Sequence, residues 1–126
     1  MSAELVRGTA WEDSAVVLMA RIANASGSNI TQASTTGITY SVWESGNSTA
    51  VVTSTSLTPS AVVFDTLQTP TIWTTDSTGY NFRHDPPASA LPNGGKTYTF
   101  EYRFDPSSGE DFSVVFEVST KDLRNS

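Results

Sequence analysis

Apolar and polar positions alternate most regularly over residues 96–120. Tyr98, Phe100, Tyr102 and Phe104 fall on one face, with Thr97, Thr99, Glu101 and Arg103 on the other. Further on, Phe112, Val114, Phe116 and Val118 alternate with Ser113, Val115, Glu117 and Ser119. A period of two is the signature of extended chain, because successive side chains leave a strand on opposite faces. The intervening Asp105, Pro106, Ser107, Ser108, Gly109 and Glu110 carry turn chemistry, which predicts an antiparallel hairpin.

The same reading extends upstream. In residues 14–23, Val16, Leu18, Ala20 and Ile22 alternate with Val17, Met19 and Arg21. Ala, Leu, Met and Arg also suit a helix, but the β-branched content and the Asn/Ser/Gly turn that follows favour a strand. Gly37 opens a second strand over residues 38–44. There Ile38, Tyr40 and Val42 alternate with Thr39, Ser41 and Trp43. A Glu44-Ser45-Gly46-Asn47 turn then leads into a Val/Thr/Ser strand over residues 50–57, giving another hairpin. Pro59 breaks that strand, and residues 61–64 read as a short fourth one. Residues 65–75 are irregular and are expected to cap one end of the core. Asp76-Ser77-Thr78-Gly79 is an Asx-type turn, followed by a short strand over residues 80–83. Prolines at 86, 87 and 92 bracket one helical turn.

The pattern predicts an all-β fold: a single immunoglobulin-like antiparallel β-sandwich of about seven strands. Residues 1–13 are expected to form an extended N-terminal arm, 14–120 the sandwich, and 121–126 a polar tail that frays. Leu5, Val6, Arg7 and Trp11 in the arm are candidate partner-binding residues. Trp11 either packs on its own domain or, as part of an arm, meets a neighbouring subunit.

Composition narrows the function classes. The 126 residues suffice for one core, and with no cysteine neither disulfides nor thiolate metal sites are available. A net charge of −6 and seven scattered basic residues argue against nucleic acid as a partner. No apolar run approaches a membrane span, and the first residues lack the pattern of a secretory signal. The chain therefore reads as soluble and outside the general export route. Abundant Ser and Thr with only two lysines (Lys96 and Lys121) suit a β domain displayed on a surface.

Candidate chemistry is sparse. The single histidine, His84, could join Ser77 or Ser89 in a triad, but there is no nucleophile elbow or Gly-rich oxyanion loop. Asp76, Asp85, Asp105, Glu110 and Asp111 all sit in turns, where carboxylates accept backbone hydrogen bonds. Glu101 and Glu117 alternate with core positions and should face outward. The acids of residues 105–111 lack the spacing of a calcium loop. Three Asn-x-Ser/Thr sequons, at Asn24, Asn29 and Asn47, are chance matches in so Ser/Thr-rich a chain. The chain is expected to be no enzyme, with no catalytic residue, metal or cofactor. Trp43, on the face opposite Tyr40 and Val42, and Trp73 in the irregular stretch complete the candidate partner-binding set. The domain's own loops are expected to bury them; exposed, they would stack on sugars or mark protein contacts.

The run Trp73-Thr74-Thr75-Asp76-Ser77-Thr78-Gly79-Tyr80-Asn81-Phe82, followed by residues 92–104, resembles small phage structural proteins. In these a D-x-x-G-Y turn precedes a P-x-G-G-x-x-Y segment and a closing hairpin. It is similar, more loosely, to the N-terminal β-sandwich of upper baseplate proteins. The resemblance spans roughly residues 37–120 and implies a non-enzymatic virion protein made in the bacterial host cytoplasm. A baseplate protein would continue into further domains, so the length favours a head decoration (cement) protein over a tail or baseplate component. The implied partners are the major capsid protein or other virion proteins, with self-assembly as a trimer or dimer. A carbohydrate- or receptor-binding module is the rival reading.

Overall fold

The computed structural model describes residues 4–11, 16–23, 28–69, 79–107 and 111–121. Among the described residues there are eight strands: β1 (Glu4–Trp11), β2 (Leu18–Ala20), β3 (Thr35–Glu44), β4 (Ala50–Leu57), β5 (Val63–Gln68), β6 (Tyr80–His84), β7 (Thr97–Pro106) and β8 (Phe112–Lys121). A helical turn, α1 (Pro59–Val62), precedes β5, and a 3₁₀ turn spans Ala88–Ala90. One sheet runs β1-β8-β7-β3-β4 and the other β2-β6-β5. This is an all-β, immunoglobulin-like sandwich. The run β8-β7-β3-β4 has the G-F-C-C′ order of variable-type domains.

The alternation that predicted the long hairpin also builds the core. Tyr98, Phe100, Tyr102, Phe104, Phe112, Val114, Phe116 and Val118 are all buried, and β7 and β8 pair in unbroken antiparallel register from Thr97/Ser119 to Phe104/Phe112. Phe82, fully buried on β6, crosses from the opposite sheet. It meets Tyr102 and Phe104 edge-on, with ring centroids 5.1 and 5.5 Å apart, and lies near-parallel to Phe116. Each such ring contributes roughly 1.5–3 kcal/mol through burial, so this aromatic layer is the main cohesion between the sheets.

Several expectations change in detail. The strand read over residues 14–23 has the predicted inward set (Leu18, Ala20 and Ile22 buried, Val16 packed against them) but only three residues of ladder. The reason is Asn81. Its buried amide accepts from the Ile22 N–H at 2.7 Å and donates to the Ile22 carbonyl at 2.9 Å, taking over where a strand would have paired. Pro59 follows the end of β4 and opens α1, where residues 61–64 were read as strand, because its fixed φ and missing N–H suit the first helical position. The fourth strand therefore starts at Val63 and runs to Gln68, into the stretch read as irregular.

The N-terminal segment is extended, as expected, but lies along its own domain. Residues of β1 pair in parallel with β8 from Glu4/Val114 to Trp11/Lys121, making β1 an edge strand of the larger sheet. Alternation had no means of showing this, because parallel pairing of chain ends is a long-range event. The tail also starts later than expected, with Lys121 still in β8.

Candidate functional site

His84 ends β6 and lies beneath a cavity of about 450 Å³ lined by Leu57, Thr58, Ala61, Val62, Phe64, Arg83 and Asp85. The walls arise from the chain reversal at Pro59: the end of β4, the α1 turn and the start of β5 fold over the end of β6. His84 Nδ1 is 2.6 Å from the Tyr102 hydroxyl. Tyr40 packs on the imidazole edge-on at 4.7 Å and stacks on Tyr102 at 5.5 Å. Tyr40 and Tyr102 are directly paired across β3 and β7, so two inward positions of neighbouring strands form the floor.

Tyr102 is completely buried, and burial drives its hydroxyl far above the ordinary tyrosine range. A buried O–H requires an acceptor. Among the described residues that acceptor is His84 Nδ1, so the neutral imidazole carries its proton on Nε2. Burial also lowers the His84 pKa from the ordinary 6.5, while the nearby Asp85 carboxylate acts in the opposite sense. Arg83 holds Asp85 by two bonds, Nε to Oδ1 at 3.0 Å and Nη2 to Oδ2 at 3.1 Å, so the rim carries a closed ion pair.

Among the described residues the hydrogen-bond partner of His84 is a tyrosine. Ser89 stands exposed in the 3₁₀ turn, and Ser77 lies outside the described residues. Asp85 is committed to Arg83. Asp105 and Asp111 line a groove of about 380 Å³ together with Arg103, which approaches Asp111 at 3.8 Å. Asp76 and Glu110 lie outside the described residues. Among the described residues no group of three or more His, Cys, Asp or Glu side chains is placed to hold a metal ion.

The candidate partner-binding residues are dispersed. Leu5, Val6, Arg7 and Trp11 occupy β1, at register positions beside Val115, Phe116, Glu117 and Lys121. Trp43 stands on the outer face of β3, as its alternation predicts, and is 40% exposed rather than covered by the domain's own loops. Trp73 lies outside the described residues. The sequence reading missed one of the two edges of the larger sheet, the β4 edge. β4 pairs with β3 alone among the described residues, and no charged side chain occurs between Glu44 and Asp65. Its signal was available as that uncharged Ser/Thr/Val run, but edge position depends on topology. The fold is thus an all-β sandwich in which, among the described residues, the β4 edge of the larger sheet adjoins the cavity that His84 lines. No family model matches the chain, and no curated protein or solved structure matches it either.

Proposed function

We propose that this protein is a non-enzymatic structural component of a phage virion, a decoration protein that binds and stabilises the head shell. The observation that supports this best is the open edge at β4. It is eight residues long, free of charge and of proline within the strand, and rich in β-branched residues. Soluble proteins normally blunt such an edge with lysine, proline or a covering segment, because its unpaired backbone groups attract other strands. A retained edge suits a protein whose role is to be held by another surface. The resemblance of the turn and hairpin motifs to small phage structural proteins is in keeping with this reading. The expected partners are the major capsid protein and further copies of the chain.

The test is co-sedimentation of purified protein with phage shells that lack it. Saturation at a fixed ratio to the shell subunit, with raised shell melting temperature, supports the reading. Failure to sediment with heads but saturable binding to tails would move the protein to the tail or baseplate. Trp43 favours a second reading, a carbohydrate- or receptor-binding module, since an exposed indole on an otherwise Ser/Thr-rich face is a stacking platform. Retention of sugars on a glycan array, lost in Trp43→Ala, would support that alternative.

A further inference from the structure

The cavity above His84 and the open edge of β4 adjoin each other, and together they specify a ligand. The imidazole is fixed on three sides. Nδ1 accepts from Tyr102 at 2.6 Å, Tyr40 packs edge-on, and the backbone belongs to β6. Nε2 has no hydrogen-bond partner among the described residues, and no buried polar side-chain atom there lacks one, so Nε2 is open to solvent on a residue that lines the cavity. The site therefore presents one directed N–H donor. Around it stand Leu57, Ala61, Val62 and Phe64, an apolar wall large enough for a side chain of leucine size. The charges at the rim, Arg83 and Asp85, cancel each other at 3.0 Å, so neither an anion nor a cation is selected.

Leu57 and Thr58 belong to the cavity wall and are also where β4 ends. β4 carries irregular register opposite Val42, but its last three residues pair regularly: Leu57 with Ile38, Ser56 with Thr39 and Thr55 with Tyr40. A strand added at that regular stretch would place an alternate side chain near the cavity mouth. In such pairing the main chain supplies affinity and pockets supply specificity. The uncharged run through β4 asks for an uncharged partner segment.

We propose that the His84 cavity is a binding site for an extended, uncharged protein segment. The segment pairs with residues 55–57 of β4, inserts one apolar side chain against Phe64 and Leu57, and places a neutral carbonyl on the His84 Nε2–H. This assignment shares with the virion reading the premise that the occupant is a protein, and it can fail or hold separately from shell binding.

The probe is N-acetyl-leucine N-methylamide, which carries an apolar side chain and two neutral carbonyls, titrated into the full chain and followed by NMR. The free protein should show a neutral imidazole protonated at Nε2. The probe should shift that signal and those of Phe64 saturably, with a Kd on the order of millimolar. Ala61→Phe fills the cavity from an exposed position of α1 and leaves the His84–Tyr102 bond in place. It should keep the imidazole signal and weaken binding by about tenfold or more. Three results would overturn the assignment: a proton on Nδ1, no saturable shift, or a shift undiminished in Ala61→Phe. Stronger perturbation by N-acetylglucosamine than by the capped leucine would overturn the peptide class in favour of a sugar.

Discussion

The Tyr98 hydroxyl donates to the Glu44 carboxylate, with Oε2 at 2.6 Å, and accepts from the Asn93 backbone N–H at 3.0 Å. One phenol thereby joins the start of β7, the end of β3 and the loop that enters β7. This is the position and role of the tyrosine corner in immunoglobulin-like domains. Asn93 Nδ2 adds a second bond to the same carboxylate oxygen at 2.8 Å. Removing the hydroxyl with Tyr98→Phe should destabilise the domain by about 1–2 kcal/mol in denaturant unfolding, with an unchanged m-value. Hydrogen bonds from Tyr98 and Asn93 hold Glu44 below its ordinary 4.5. A depressed carboxylate stabilises the fold above its unfolded value and stops doing so as pH falls through the folded value. The difference between wild type and Tyr98→Phe should therefore be constant above pH 4.5 and shrink below it.

Histidine 84 sets a second pH dependence, at higher pH. Its pKa is lowered by burial, so the unfolded chain takes up the proton first as pH falls. The groups facing it are Tyr40 from β3, Tyr102 from β7, and Arg83 and Asp85 beside it, while the lining residues of β4 and α1 carry no charge. Stability should be flat above pH 6.5 and decline below it. In His84→Phe that decline should vanish, at the cost of a lower plateau because the buried Tyr102 hydroxyl loses its acceptor. A decline of equal slope in both proteins would show that His84 is not the group involved.

Asn81→Ala should be more damaging than its small size suggests. Its buried amide satisfies both the N–H and the carbonyl of Ile22 on the short edge strand's exit. A loss of roughly 2–4 kcal/mol is expected, because the Ile22 N–H is left buried without an acceptor. Amide exchange should accelerate first at Ile22. Uniform acceleration across β7 and β8 instead would place the weakness elsewhere.

Gly79 and Gly46 both have positive φ, at 103° and 77°, but differ in surroundings. A Cβ at Gly79 would lie 2.5 Å from the Gln68 carbonyl oxygen, whereas at Gly46 nothing lies within 4 Å. Gly46→Ala should therefore cost about 1 kcal/mol, the conformational penalty alone. Gly79→Ala adds a backbone clash between β5 and the entry to β6 and should cost about 3 kcal/mol or more, or prevent folding. Thermal melts of the two variants decide it.

Local alternation carried most of the fold. Tyr98 to Phe104 and Phe112 to Val118 declared their strands because both faces obey a period of two, and Gly46 and Pro59 marked real chain reversals. What local pattern could not carry was partnership. Nothing in Glu4 to Trp11 indicates that the segment lies parallel to β8. Asn81 reads as a polar residue in a short strand until its amide is seen against Ile22. His84 was visible as the lone histidine, but its setting depends on Tyr40 and Tyr102 meeting across β3 and β7, more than sixty positions apart in sequence. The face that Trp43 occupies was legible from the alternation of β3, but its exposure was not, since covering by the domain's own loops depends on tertiary structure.

The most direct measurement is shell binding by wild type and by Thr55→Lys, which places a charge at an exposed position of the open edge. Wild type should saturate shells that lack the protein, and Thr55→Lys should remain folded, with an unchanged melting temperature, and bind about tenfold or more weakly. Equal binding by both proteins would remove β4 from the interface, and no binding by wild type to heads or tails would contradict the virion function itself.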